Sequence, residues 1–332
     1  MIVSRRIVVL TVLLLVAVGC SPAPAATLQR TALTVGLGYI PSVQFAQFYR
    51  AQQRGYYSDA GLDVTFQHQI DPNLITLIGQ GAVDIGLADG TSVIPAAGQD
   101  IPVRYAATIY ARFPNVVMAG ADSGITTAAG LAGHTVGIPG QYGSSWIMLQ
   151  ALLLSAGLTP DDIDIRNYPE FGQGVALRLA EVDAATGFRN NEPVQLAREG
   201  FATNLLTIDE ITPLPGPGLT VGESTLATKR DALRAFVAAT LRAMDEIEAN
   251  PELGLDAAIA VVPELVDQRD AQRAILDSTI DMWESPYTGE NGRGAIDTQA
   301  WETSIGFMRG LPISNIPADL TAAQLVTEDL LR

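Results

Sequence analysis

The stretch "GYIPSVQFAQFY" crowds Tyr39, Gln44 and Phe45 into the turn where a strand-like run hands over to a helix-like one. Four other short stretches carry a similar mix. "LADGTS" supplies Asp89 and Thr91, and "YARFPN" supplies Tyr110 and Arg112. "GQYGSSW" supplies Tyr142, Ser144, Ser145 and Trp146, and "GFRNNEP" supplies Asn191 and Glu192. Aromatic faces stack on planar rings, while amides, hydroxyls and a carboxylate read a ring's polar edges. This is the chemistry of holding a ligand rather than of breaking bonds. Each residue also has a plainer reading. Thr91 suits a helix cap, Arg112 a surface charge, Trp146 and Phe48 the core, and Glu192 a solvated helix start.

Reactive constellations are not assembled. His68 and His134 are the two histidines, they lie in loop-like text, and no Ser-His-Asp order forms around them. They are not at metal-ligand spacing and have no cysteine partners. "GQYGSSW" lacks the lysine of a phosphate-binding loop. No catalytic residue, metal site or cofactor is expected.

The elements that must position these residues alternate. "ALTVGLGY" reads as a strand, and "SVQFAQFYRAQQRGYYSDAG" as a helix ending at Gly55. "LDVTFQHQ" and "DIGLADG" read as strands, with a helix over "DPNLITLIGQGAV" between them. "TSVIPAAGQD" is a short helix, and "PVRYAATIYA" another strand. The pattern then restarts with a strand at Thr135 to Ile138, a Gly-rich turn and a long apolar helix. Beyond Thr228 the chain reads as helical to its end. Strand-helix alternation implies parallel pairing with right-handed crossovers. The chain enters a second lobe near Val117 to Gly120 and leaves it near Pro217 to Glu223. Residues 32–118 and 221–332 are expected to build lobe 1, and residues 119–220 lobe 2. Two crossings give a hinge and a cleft, and the strand-to-helix turns face that cleft.

The chain has 332 residues and a net charge of −16. That charge argues against nucleic acid and against an electrostatic dock on anionic lipid. At the N-terminus Arg5 and Arg6 precede the apolar run Ile7 to Val18, which is too short to span a bilayer. The run closes on "AVGC", which resembles a bacterial lipobox. Residues 1–19 are expected to be a signal peptide, Cys20 the lipidated residue, and residues 20–31 a tether. Cys20 is the only cysteine, so no disulfide forms within the chain.

This layout resembles substrate-binding lipoproteins of ABC importers. "GYIPSVQFAQFYRAQQRGYYSDAGLDVTF" is similar to the first segment of the SsuA/THI5-like family, "GQGAVDIGLADG" to a later strand, and "TGFRNNEPV" to a segment of its pyrimidine- and riboflavin-binding branches. The resemblance spans Leu33 to Leu311. It implies an α/β, two-lobed periplasmic-binding-protein fold of type II character, with parallel-rich sheets flanked by helices and two hinge crossings. It implies a monomer on the extracytoplasmic face of the membrane that captures a small molecule by lobe closure and docks on a permease. "GYIPSVQFAQFY" and "GFRNNEPV" look nearest to riboflavin importers, with thiamine-pyrimidine binders next. Sulfonate, taurine or nitrate binding is the alternative ligand class. The family also contains a pyridoxal-phosphate-dependent pyrimidine synthase. That branch carries a cysteine-rich motif absent here, and its imine chemistry needs a lysine. Lys229, at the start of a tail helix, is the only one available.

Overall fold

A computed structural model describes residues 30–68, 70, 72–312 and 316–332. The signal segment 1–19, Cys20 and the tether as far as residue 29 lie outside the described residues. No helix among the described residues is long and apolar enough to cross a membrane.

Two five-stranded sheets organise the chain. The first has β1 (Thr31–Gly36), β2 (Leu62–Gln67), β3 (Ile85–Asp89), β4 (Val103–Thr108) and, much later in sequence, β10 (Pro217–Gly222). Its order is β2-β1-β3-β10-β4. β1 runs parallel to β2 and β3, whereas β10 runs antiparallel to β3 and β4. The second has β5 (Asn115–Gly120), β6 (Thr135–Ile138), β7 (Asp164–Asn167), β8 (Ala184–Phe188) and β9 (Thr203–Leu206), in the order β7-β6-β8-β5-β9. β5 is its antiparallel strand. Each sheet therefore takes its one reversed strand from the segment that has just crossed from the other. The crossings occupy residues 109–114 and 207–216. The first precedes the expected position near Val117 to Gly120, because Asn115–Gly120 already pairs within the second sheet.

Helices cover the sheets. α1 (Ala46–Gln53) and α2 (Tyr56–Asp59) follow β1 and are split at Gly55, whose φ of 74° favours glycine. α3 (Leu74–Gly79) and α4 (Gly90–Ala97) flank β3. In the second sheet α5 (Gly143–Ser155), α6 (Gln173–Arg178) and α7 (Glu192–Arg198) follow β6, β7 and β8. The tail adds α8 (Glu223–Ala249), α9 (Glu252–Val261), α10 (Arg269–Met282), α11 (Pro286–Asn291), α12 (Thr298–Met308) and α13 (Ala322–Leu325). α8 is kinked at Lys229.

The cores follow the apolar periodicity. Leu33, Val35, Phe48, Tyr57, Phe236, Leu255 and Trp283 share one cluster beneath α1 and the tail helices. Phe48, Tyr57 and Phe236 stack there, so Phe48 belongs to the core. A second cluster joins Ile78, Val103 and Tyr105 of the first sheet to Val117, Val136 and Ile147 of the second. A smaller one, including Val116, Met118, Leu177 and Leu196, lies on the other face of the second sheet.

Candidate functional site

A cavity of about 400 Å³ opens between the two sheets, within the size range of small-molecule sites. It sits at the C-terminal ends of β1, β3, β6 and β8, where parallel strands of open α/β sheets present ligands to helix starts. Tyr39, Gln44 and Phe45 line it from the β1–α1 turn, and Asp89 from the end of β3. Tyr110 lines it from the first crossing. Tyr142, Ser144 and Ser145 reach it from the start of α5, and Asn191 and Glu192 from the start of α7.

Three expected residues are not brought there. Thr91 is fully buried in the first turn of α4, and its hydroxyl has no partner among the described residues. It is not the cap either, because Asp89 holds the N-cap position. Arg112 is exposed and its Nε donates to the Glu284 carbonyl at 3.0 Å. Trp146 is half-buried and packs on the core shared by Val117 and Ile147. The helical advance of 100° per residue turns it away while Ser144, Ser145 and Ile147 face inward.

Glycines make two of the close approaches possible. A Cβ on Gly187 would meet Met118 Cε at 2.8 Å and Glu192 Oε2 at 3.0 Å, so Gly187 lets Glu192 fold back over the end of β8. A Cβ on Gly140 would clash with the edge of the Tyr142 ring.

Among the described residues the cavity wall is acidic and holds no compensating cation. Among the described lining residues Asp89 and Glu192 are the ionisable carboxyls, and no Lys, Arg or His is present. Arg189, three residues before Glu192, does not line the cavity and pairs with Asp209 at 2.7 Å. Burial pushes the Asp89 carboxyl up to about 6, against the lowering effect of the Ser144 hydroxyl. Burial also raises Glu192, against hydrogen bonds from the backbone N–H groups of Phe188 and of Glu192 itself. Tyr39 is raised to about 12, first by burial and then by the charge of Glu192.

The two lobes meet around this cavity. Ser144 Oγ donates to Asp89 Oδ2 at 2.7 Å. Tyr39 meets Phe171 edge to face, with ring centroids 5.1 Å apart. Asn190 is fully buried, and its Nδ2 donates to Gln44 Oε1 at 3.0 Å and to Thr279 Oγ1 at 2.9 Å. Gln44 thus spends its carbonyl on the opposite lobe, while its Nε2 donates to Ser42 Oγ at 3.3 Å.

Asn190, Phe171 and Phe188 also belong to this region and are not singled out by the residue pattern. Asn190 adjoins Asn191, and only the turn after β8 decides which of the two faces the cavity. Phe171 has a φ of 59°, which is uncommon for a bulky side chain and leaves no trace in the residue pattern. Asn73 and Ser92 also line the wall, from the starts of α3 and α4. His68 lies in a loop, as expected, and is half-buried against Phe45 and Tyr49, with its Nε2 3.2 Å from the Tyr49 hydroxyl. Trp283 lies in the core, and Tyr287 lines a separate hollow with Tyr105 and Trp301.

Comparison with known proteins gives this geometry a lineage. The riboflavin-binding protein RibY of Chloroflexus aurantiacus is 31% identical over 91% of this chain and 87% of its own. The formylaminopyrimidine-binding protein of Halalkalibacterium halodurans is 25% identical over 82% of this chain and 83% of its own. Relatives also include 4-amino-5-hydroxymethyl-2-methylpyrimidine phosphate synthases, such as that of Aspergillus parasiticus, 27% identical over 66% of this chain and 67% of its own. Among solved structures, the alkanesulfonate-binding protein SsuA of Xanthomonas axonopodis pv. citri bound to MOPS superposes with a TM-score of 0.66 at 16% identity. That alignment covers 90% of this chain and 99% of SsuA, and it establishes a shared periplasmic-binding-protein fold. Residues 42–253 match the family described as NMT1/THI5 like, and the chain belongs to that family.

Proposed function

We propose that this protein is an extracytoplasmic, lipid-anchored substrate-binding protein that captures riboflavin by lobe closure and delivers it to an ABC permease. The observation that carries the reading is the composition of the cavity. Aromatic rings from both lobes enclose a space bordered by amides, hydroxyls and two carboxylates, with no cation on the described wall. An isoalloxazine ring stacks on such faces, and its ring N–H and side-chain hydroxyls are donors that need acceptors. The similarity to RibY supports the same ligand. Lobe closure stabilises the bound form by the ligand's differential affinity for the closed state.

A thiamine-pyrimidine precursor is the second reading, favoured by the similarity to the formylaminopyrimidine-binding protein. Sulfonate or nitrate binding is opposed by the acidic wall. Catalysis of the synthase type is opposed by the position of Lys229, which lies outside the cavity and pairs with Asp84 at 2.8 Å. The test is competition calorimetry with riboflavin and hydroxymethyl-aminopyrimidine on the purified chain. One-to-one riboflavin binding that the pyrimidine does not displace supports the proposal. Pyrimidine binding without riboflavin binding replaces it with the second reading.

A further inference from the structure

Two of the donors that could hold an anionic group at this cavity, the Ser144 hydroxyl and the Phe188 N–H, are taken by the protein's own carboxylates. Helix N-termini carry free amides and the positive end of the helix dipole, and they attract anions. α5 aims such an end at the cavity, with Ser144 and Ser145 in its first turn on the wall. The Ser144 hydroxyl, however, is committed to Asp89 of the opposite lobe at 2.7 Å. Ser145 Oγ accepts from Asn115 Nδ2 at 3.0 Å. At the start of α7, Glu192 Oε2 takes the Phe188 N–H at 2.8 Å. The two arginines nearest in sequence are both turned away from the cavity, Arg112 to a carbonyl and Arg189 to Asp209.

We propose that the cavity excludes phosphate and sulfonate groups and selects the unphosphorylated form of its ligand. An alcohol at the end of a ligand chain can donate to Asp89 or Glu192. An ionised phosphate ester at that position has no proton to donate and meets like charge on a desolvated wall. The identity of the ring rests on the function proposed above, but the exclusion does not, because it follows from the wall's charges alone.

The test is calorimetry on the purified full chain in detergent, at about pH 8, where the second ionisation of a phosphate ester near pH 6 is complete. Riboflavin is compared with riboflavin 5′-phosphate, and hydroxymethyl-aminopyrimidine with its phosphate. Inorganic phosphate and MOPS are titrated separately. The expected result is a phosphate ester at least about 100-fold weaker than its alcohol, with no saturable heat from phosphate or MOPS. Asp89→Asn is expected to narrow the gap about tenfold by removing one of the repelling charges. A phosphate ester within about threefold of its alcohol, or saturable binding of either free anion, overturns the proposal. Discrimination seen with the pyrimidine pair while neither flavin binds leaves the exclusion standing and ends the riboflavin reading. If no organic ligand binds, the free anions alone decide.

Discussion

Ser144 at the start of α5 donates to Asp89 at the end of β3 across the gap between the two lobes, at 2.7 Å. One hydrogen bond thus joins the two lobes through a carboxyl on the cavity wall. Because burial raises that carboxyl to about 6 from an ordinary 3.8, its ionised form is disfavoured in the folded molecule. The native state then binds more protons than the unfolded chain between these two values. Its contribution to stability is full below the unfolded pKa and is lost as pH rises through the folded one. Glu192, raised by burial as well, acts in the same direction. Thermal unfolding followed from about pH 4 to 7 should therefore show a loss of up to roughly 2–3 kcal/mol attributable to Asp89, and Asp89→Asn should flatten that limb. An unchanged pH profile in the variant would separate Asp89 from the effect.

Asn190 is the second tie between the lobes. Replacing it with alanine leaves Gln44 Oε1 without the donor it has here and removes the bridge to Thr279. The lost bonds should cost about 1–3 kcal/mol, drawn from the closed form. The expected outcome for Asn190→Ala is ligand affinity roughly 5- to 100-fold weaker, with a larger radius of gyration in solution scattering at a given ligand concentration. Equal affinity and equal compactness would show that the knot is incidental.

Gly187 makes room for Glu192. In Gly187→Ala the new methyl would press on Met118 Cε at 2.8 Å and Glu192 Oε2 at 3.0 Å. A stability loss of about 1–3 kcal/mol is expected from overpacking. The displaced carboxylate should also weaken ligand binding about tenfold through loss of a charge-assisted acceptor. Glu192→Gln should reproduce the affinity loss without the overpacking. A Gly187→Ala protein of wild-type stability would contradict the close approach.

Lys229 separates binding from synthase-like catalysis. It pairs with Asp84, whose carboxylate also accepts the Thr34 N–H. Lys229→Met should lower stability by about 1–3 kcal/mol, since Asp84 is left mostly buried and short of its partner. It should leave ligand affinity unchanged. Pyridoxal phosphate added to the wild-type chain should produce no imine absorbance that the variant lacks.

Much of this arrangement was legible in the residues. The strand-helix alternation gave the parallel strands, because apolar runs bounded by Gly and Pro reflect burial on both faces. Tyr39, Asp89 and Glu192 could be placed at the cavity because each lies at or just beyond the C-terminal end of a strand. The reversed strands β5 and β10 were harder to assign. Which sheet takes a crossing strand is decided by pairing between residues far apart, such as Leu219 with both Leu87 and Ala107. Side-chain direction within a helix start was also hidden. Ser144 and Trp146 sit in one turn, and only packing shows which faces the cavity. Phe171 reaches Tyr39 from a left-handed backbone that no residue pattern announces.

A flavin held between rings of both lobes, as proposed above, can be detected by its own fluorescence. The most direct test is a riboflavin fluorescence titration with the chain lacking its first 20 residues, repeated with Tyr142→Ala and Glu192→Ala. Saturable one-to-one quenching is expected in the wild type, with weaker binding in both variants. Absence of quenching, together with thermal stabilisation by an alkanesulfonate such as MOPS, would contradict the flavin proposal and make the start of α5 an anion cradle.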